Sequence, residues 1–473
     1  MLNRTQHFIN GEWIDSTGTE TIEVINPANK KTIGKISNGT IQDLNRAVSA
    51  ARNAFLSFSQ TTREERIILL NKIADEFEKR KKDIVDTITL ELGSPIAHSE
   101  TPQYSMALAH YRQAAKELED FEFVEYKNHT AIYKEPIGVS GLITPWNFPA
   151  NQASTKIASA IAAGSTVVLK PAQLTPFTAM IIADIFKSAG VPDGVFNLVN
   201  GSGRVIGDGI SSHSDIDYVS FTGSGNVGKN ISENAAKTIK KVSLELGGKS
   251  PLIVLEDCDI KKAVDITLSK SLFNSGQVCT AAAKIIVPES IHDEFTKVLE
   301  EEISKLPIGN PQNKDTFIGP LVSEKQYNQV QEYIDTGIKE GAHLIIGGKG
   351  HPEGLEEGFY ARPTIFTNVN KNMTIAKEEI FGPVIPILTY KDIGEAIEIA
   401  NDTIYGLAGY VVGSDNNLTQ KVASSIRAGR ITINNASEDY SAPFGGYKQS
   451  GVGREWGKYG IEEYLELKAV LTE

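Results

Sequence analysis

Sulfur is scarce in this chain, with two cysteines and four methionines in 473 residues. Two cysteines exclude a disulfide framework and fall short of a zinc cluster, so no metal site is expected. Long basic tracts are missing as well; Lys79 to Lys82 is typical of those present. The net charge is −12, from 47 basic against 59 acidic side chains. That balance argues against nucleic acid and against anionic membrane surfaces as partners. Met1 to Asp15 lacks the basic-then-apolar layout of an export signal. The longest apolar stretch, Ile157 to Leu169, is broken by Ser159, Gly164, Ser165 and Thr166 and is too short for a bilayer. No internal repeat or low-complexity segment is visible. These absences lead to the expectation of a soluble, cytoplasmic protein, and its length allows two or more domains.

What is present is an alternation of strand and helix patterns. Strands are expected over Ile137 to Ile143, Thr166 to Leu169, Val195 to Val199, Tyr218 to Phe221 and Val242 to Leu246. Between them lie helical patterns over Asn151 to Ala163, Thr175 to Lys187, Arg204 to Ile210 and Asn226 to Lys237, with Gly164 and Gly190 as stops. Five strands separated by helices predict an open parallel sheet with ligands at the carboxyl ends of its strands. A second α/β alternation starts near Ser250. It includes a helical stretch from Ile260 to Phe273, helices at Asp293 to Leu306 and Glu324 to Lys339, and strands at Ile285 to Val287, His343 to Ile346, Val384 to Leu388 and Ile431 to Ile433. Amphipathic helices are expected earlier, over Ile41 to Ser57 and Arg63 to Leu92. Phe121 to Lys134 and Tyr464 to Leu471 fit neither unit; the latter alternates like a strand with one apolar face and is expected to pair with another subunit.

Unusual residues gather at the predicted strand ends. Cys279 sits in Asn274-Ser275-Gly276-Gln277-Val278-Cys279-Thr280-Ala281, where small neighbours leave a thiol approachable. A free thiol, with a pKa of roughly 8.5, needs an activator to serve as a nucleophile; taken alone, Cys279 is equally a small packing residue. Gly223-Ser224-Gly225-Asn226-Val227-Gly228 reads G-x-G-x-x-G after a strand and at a helix start, which offers free N–H groups to a pyrophosphate. A glycine turn with no ligand has the same pattern, and a position after the fourth strand fits the usual dinucleotide layout poorly. Lys170, before Pro171, is either a ribose or phosphate ligand or a solvated strand end. Glu245 alternates against Val242, Leu244 and Leu246 ahead of two glycines, as a general base or as a plain surface glutamate. Asn147, between Pro145 and Pro149, is an oxyanion donor or a structural turn residue.

Together these segments resemble the aldehyde dehydrogenase superfamily. The resemblance rests on Pro145-Trp146-Asn147-Phe148-Pro149, Leu169-Lys170-Pro171-Ala172, Phe221-Thr222-Gly223-Ser224 and Glu245-Leu246-Gly247-Gly248-Lys249-Ser250-Pro251. It continues through Gly276-Gln277-Val278-Cys279, Glu378-Glu379-Ile380-Phe381-Gly382-Pro383-Val384 and Pro443-Phe444-Gly445-Gly446-Tyr447-Lys448, in the family's order over nearly the whole chain. It implies an α/β fold: a Rossmann-like open parallel sheet for the cofactor (1–117 and 137–246), a second α/β catalytic domain (247–445) and a small β oligomerisation element (118–136 and 446–473). It implies Cys279 as nucleophile, with the Asn147 amide and the Cys279 backbone N–H as oxyanion donors. Glu245 would activate the deacylating water, and Lys156 would relay its protons. NAD or NADP would be held by Lys170 and Gln173 near the adenine ribose, by Gly223, Ser224 and Gly228 at the pyrophosphate, and by Trp146, Leu246, Glu379 and Phe381 about the nicotinamide end. Phe148, Phe273, Val278, Glu438 and Tyr440 would line the substrate tunnel. The implied reaction oxidises an aldehyde to its acid through a cysteine thioester, in a dimer or tetramer and without a metal.

Two departures stand out. Many NAD-preferring relatives carry glutamate where this chain has Gln173, and a neutral amide does not repel a 2′-phosphate. The loop Asn434 to Ala442 places Glu438 and Asp439 where many relatives have aromatics, which suits a polar or cationic aldehyde or simply a solvated rim. Other readings are a CoA-acylating relative, a non-catalytic scaffold and a cofactor-free cysteine hydrolase. Glu245 speaks against the first, and retention of Cys279, Glu245, Asn147 and Lys170 against the second.

Overall fold

Each of the two α/β alternations builds a parallel sheet in which the first strand is central. In the computed structural model, which describes residues 2–471, the first sheet runs Lys241–Glu245, Tyr218–Thr222, Val139–Ile143, Thr166–Lys170, Phe196–Leu198. The second has the same order when read from its other edge: Arg430–Ile433, Ala408–Val412, Ser250–Val254, Ala282–Pro288 and Val384–Tyr390. It is extended beyond Val384–Tyr390 by Thr364–Thr367 (parallel) and His343–Ile346 (antiparallel). The central strands are buried throughout, as β-branched runs covered by helices on both faces require. The expected five-strand sheet is therefore present, with strand ends shifted by one or two residues.

The structure adds edges the sequence reading left out. Residues 6–15, read as a polar terminus, form an antiparallel hairpin of Gln6–Ile9 and Glu12–Asp15. Its turn is Asn10-Gly11, both at positive φ (54° and 79°), the combination a tight hairpin requires. The hairpin adds to the first sheet beside Phe196–Leu198, and Gly451–Val452 closes the opposite edge against Lys241–Glu245. The single helix expected from Arg63 to Leu92 is two, Arg63–Lys79 and Lys81–Leu92, broken where Arg80 leaves helical geometry (φ −100°, ψ 14°). An unbroken helix of that length would run about 45 Å; the break folds both apolar faces onto one core.

Helix Pro149–Ala163 is buried along its whole length. Proline at its first turn and Gly164 in left-handed geometry (φ 89°) set its ends. It carries Lys156 beneath the first sheet's carboxyl end. The terminal strand Leu465–Leu471 pairs antiparallel with Thr130–Pro136 of its own chain, from Leu465 opposite Pro136 to Leu471 opposite Thr130. Val124–Lys127 lies beyond it. The expected intersubunit pairing along that strand is thus replaced on one edge by an intrachain partner. Among the described residues, no helix is long and apolar enough to cross a membrane.

Candidate active site

The carboxyl ends of the first sheet meet the amino ends of the second. From the first come Trp146 to Phe148 after Val139–Ile143, Lys170 ending its strand, Gly223 and Ser224 after Tyr218–Thr222, and Glu245 ending Lys241–Glu245. From the second come Gly247 to Lys249 before Ser250–Val254, Cys279 before Ala282–Pro288 and Glu379 before Val384–Tyr390.

The loop that presents Cys279 is strained and tightly tied. Asn274, Ser275 and Gly276 stand in succession at positive φ (51°, 58° and 74°), a conformation costing roughly 1–2 kcal/mol for each non-glycine residue. A side chain at Gly276 would meet the Gly382 carbonyl at 2.3 Å, so only glycine fits there. Four bonds hold the turn: Gln277 Nε2 to Asn274 O (3.0 Å), Val322 N to Gln277 Oε1 (2.9 Å), Ser275 Oγ to Gly319 O (2.8 Å) and Asn274 Nδ2 to Asn147 O (3.1 Å). Asn147 Nδ2 donates to Gln277 O at 3.1 Å. One amide N–H of Asn147 thereby anchors it two residues from Cys279, and its second N–H is left for the pocket.

Charge is unusually concentrated here. Glu245 is 3% exposed and neither of its oxygens has a hydrogen-bond partner among the described residues. Burial, then the charge of Glu455, pushes its carboxyl far above the usual range, against the pull of Lys156 and Arg454. Cys279 is half-buried, but the protein packed around its sulfur pushes the thiol up to about 12, with Glu379 and Glu245 adding to the shift. Glu379 accepts from Gly248 N at 2.9 Å and is raised by burial to about 7. Its other oxygen lies where a side chain on Gly247 would stand, 2.1 Å from the built position. The other cysteine, Cys258, is raised by burial to about 11 and lies away from these groups.

The residues expected to hold the cofactor differ in exposure. Lys170 is not a solvated strand end: it is 4% exposed, donates to the Pro171 carbonyl at 3.0 Å, and is lowered by burial to about 8. Ser224 caps Gly225–Ala236 without spending its side chain on a capping bond, which leaves an exposed hydroxyl at a helix N-terminus. Gly228 makes room for Leu246, whose methyl would lie 2.7 Å from any side chain there, and Gly223 does so for the Phe221 ring (2.4 Å). Trp146 meets Phe381 edge-on at 5.4 Å. Gln173 is exposed between Lys170 and helix Pro176–Ala189. A buried ammonium, a free helix start, close glycine backbone and a carboxylate at the far end fit a dinucleotide.

The tunnel residues separate into groups. Phe148 stacks with Phe273 at 6.1 Å, and Phe273 lies 4.4 Å from His98. Tyr440 packs on Trp456 and His110 (both 5.4 Å), and Trp456 stacks on Phe444 at 4.7 Å. Cys279 and Met106 pack against this second cluster, together with Leu407. Val278 lines a small cavity with Lys249, Glu379 and Phe381 instead. Glu438 is ion-paired with Arg430, whose guanidinium lies 5.2 Å over the Trp456 ring. Asp439 accepts from Ser441 N (2.9 Å) and Oγ (2.6 Å). Of the two charges expected at a polar or cationic aldehyde or on a solvated rim, Glu438 is paired with Arg430 and Asp439 keeps its charge on an exposed turn.

Sequence reading missed the residues whose role needs tertiary contact. Glu455 pairs with Lys156, whose Nζ also donates to Ser220 Oγ at 2.9 Å. Asn274 and Gln277 shape the Cys279 loop, and Arg430, Phe444 and Trp456 shape the tunnel. For Lys156 a signal was available, because a lysine inside an Ala- and Ile-rich buried helix demands a carboxylate partner.

The aldehyde dehydrogenase family model matches residues 13–470. A Staphylococcus haemolyticus protein named as a candidate aldehyde dehydrogenase is 56% identical over 470 residues, covering 99% of each chain. A cysteine-to-alanine mutant of aldehyde dehydrogenase C from Pseudomonas syringae, solved with NAD+ and octanal, superimposes with a TM-score of 0.98 at 44% identity. It covers 99% of this chain and 96% of that one. Betaine aldehyde dehydrogenase from Staphylococcus aureus, solved with NAD+ and a mercaptoethanol-modified cysteine, gives 0.96 at 40% identity, covering 99% and 96%.

Proposed function

Because the chain belongs to the aldehyde dehydrogenase family and oxidises aldehydes with NAD(P), we propose that Cys279 is its nucleophile, Glu245 its hydrolytic base and Asn147 its oxyanion donor. The observation that supports this reading is the Asn147 amide fixed on the Gln277 carbonyl, two residues from Cys279, with one N–H left over.

At rest, burial and the neighbouring carboxylates favour the protonated form of both the thiol and the Glu245 carboxyl. Glu245, ionised when substrate binds, takes the thiol proton and releases it to solvent as the Cys279 sulfur bonds to the aldehyde carbon, and the carbonyl oxygen takes up negative charge between the Asn147 amide and the Cys279 backbone N–H. A bound nicotinamide dinucleotide supplies the hydride acceptor, and loss of hydride leaves Cys279 as a thioester. Glu245, deprotonated for this step, takes a proton from water while the hydroxyl adds to the thioester carbon. Collapse expels the sulfur and releases the acid. The Glu245 proton leaves by way of the Lys156–Glu455 pair, the carboxylate accepting it as the ammonium passes one of its own on. One thiol, one carboxylate and one amide suffice, so no metal is required.

Lys170 would hold the adenine ribose, Ser224, Gly223 and Gly228 the pyrophosphate, and Glu379 the nicotinamide ribose, with Trp146, Leu246 and Phe381 packed around it. Gln173 presents a neutral amide, so the enzyme accepts NADP as well as NAD. The substrate is an uncharged, apolar aldehyde, because aromatic rings line the approach to Cys279 and Arg430 engages Glu438; the octanal of the Pseudomonas relative is of that kind. Self-association as a dimer or tetramer would use the outer edge of Leu465–Leu471, where Leu467 and Leu471 are exposed, and the enzyme would work in the cytoplasm.

The test is absorbance of reduced nicotinamide with a panel of aldehydes, NAD and NADP in parallel. Reduction of both cofactors by apolar aldehydes is expected. No reduction with any aldehyde, or full turnover by Cys279→Ser, would overturn the reading.

A further inference from the structure

Lys249 stands directly after the two glycines that follow Glu245, yet the proposed reaction leaves it without a part. It is 1% exposed, and its Nζ has no hydrogen-bond partner among the described residues. A buried ammonium without acceptors is costly to keep. The other buried lysines are provided for: Lys156 has Glu455, Lys170 the Pro171 carbonyl and Lys284 the Ile399 carbonyl at 2.7 Å. A lysine sealed in without such a bond needs an anion nearby, and the backbone supplies one. The N–H of the preceding residue, Gly248, donates to Glu379 at 2.9 Å. Lys249 and Glu379 also border one small cavity, together with Gly276, Val278 and Phe381.

The two groups act on each other. Burial lowers Lys249 to about 7, with Lys284 adding to the shift while Glu379 and Glu378 oppose it. Burial raises Glu379 to the same range, and the Gly248 N–H and Lys249 oppose that rise. The other titratable groups facing Glu379 are Cys279, Tyr405 and Tyr333, whose hydroxyl donates to Glu378 at 2.8 Å. None of these is a cation, so the positive charge acting on Glu379 comes from Lys249. We propose that the Lys249 ammonium is the counter-charge of Glu379, holding its carboxylate ready to accept from both hydroxyls of the nicotinamide ribose. The proposal rests on Glu379 as the ligand of that ribose. A carboxylate accepts both bonds with charge assistance, whereas the protonated acid accepts more weakly and must turn its own O–H aside. Lys249 acts through Glu379 and is a positioning residue.

NADH binding to the full-length enzyme is followed by nicotinamide fluorescence from pH 6.5 to 9. The wild type is compared with the neutral variants Lys249→Met and Lys249→Gln, with Lys249→Arg, and with Glu379→Gln alone and combined with Lys249→Met. ADP, which lacks the nicotinamide ribose, is the control ligand. Removing the cation raises the Glu379 carboxyl, so affinity falls at low pH and returns as the pH rises. For a rise of about one unit, the neutral variants should bind NADH at least about fivefold more weakly at pH 6.5 and within about twofold of wild type at pH 9. ADP affinity should not change, Lys249→Arg should lie closer to wild type than either neutral variant, and Lys249→Met should add nothing to Glu379→Gln. Wild-type affinity in both neutral variants at pH 6.5, a loss equal at every pH, or a further loss in the Glu379→Gln background would overturn the counter-charge. Wild-type NADH affinity in Glu379→Gln alone would instead remove Glu379 from the ribose, and the role of Lys249 with it.

Discussion

The two sheets share a strand order yet work from opposite ends. The first offers its carboxyl ends, where helices such as Pro149–Ala163 and Gly225–Ala236 begin and unpaired N–H groups favour negative charge. The second offers its amino ends, where chain arrives from helix carboxyl ends, as Ile260–Leu272 does just before Cys279. The carboxyl end of the second sheet, where such folds usually bind ligands, holds an open cavity of about 670 Å³ bordered by Glu256, Asp257, Glu289, Asp392 and Asp415. Identical topology therefore does not locate a site; the polarity of its helix ends and the loops upon them do. The helix starts on the first sheet favour negative charge, whereas burial and nearby carboxylates on the second push its thiol up.

Variants can test that division of labour. Cys279→Ser, on the second sheet, should lower kcat by about 10⁴-fold or more while leaving cofactor affinity intact in fluorescence titration; a parallel loss of affinity would blur the division. The protonated thiol should show next in iodoacetamide alkylation at pH 8, mapped by mass spectrometry to exclude Cys258. With the thiol pushed up to about 12, the rate should be about 10³-fold below that of a thiol of pKa ~8.5 and rise tenfold per pH unit. Glu245→Gln should speed it by removing a neighbouring acid, and a plateau near pH 9 would contradict the assignment. Asn147→Ala, on the first sheet, should cost about 10²–10³-fold in kcat with little change in cofactor affinity. Gln173→Glu should shift the ratio of kcat/KM toward NAD by about tenfold; an unchanged ratio would free Gln173 of any part in the choice. Smallest of all, Glu438→Gln should change kcat/KM for an apolar aldehyde by less than about fivefold, because the exposed pair with Arg430 contributes little.

The five parallel strands were legible because β-branched runs fully buried on both faces leave few alternatives, and the motif residues were legible because glycine, proline and lone polar residues mark strand ends. The hairpin at residues 6–15 was also written in the sequence, in Asn10-Gly11, but its strands are four residues each and carry little periodic signal. The break at Arg80 was hidden because helix-forming residues run on both sides of it. Glu455 and Glu463 were out of reach for another reason: nothing local separates them from other glutamates, and only the fold brings them to Lys156 and Ser243. Glu438 looked like a substrate group until Arg430, eight residues earlier, proved to engage it.

The Gly451–Val452 edge strand has a bearing on how the enzyme is made. Leu246 N donates to the Ser450 carbonyl, and Gly445 packs against Glu245, where a side chain would come within 2.7 Å of its carboxylate. Phe444, Trp456, Glu455 and Glu463 all belong to this late stretch. A ribosome delivers them only after the five parallel strands of each sheet have been synthesised, so the partner of Lys156 and the rings packed near Cys279 are the last parts of the site to arrive. Turnover must await residues 444–463, and a reactive aldehyde meets a completed catalyst rather than a half-built one.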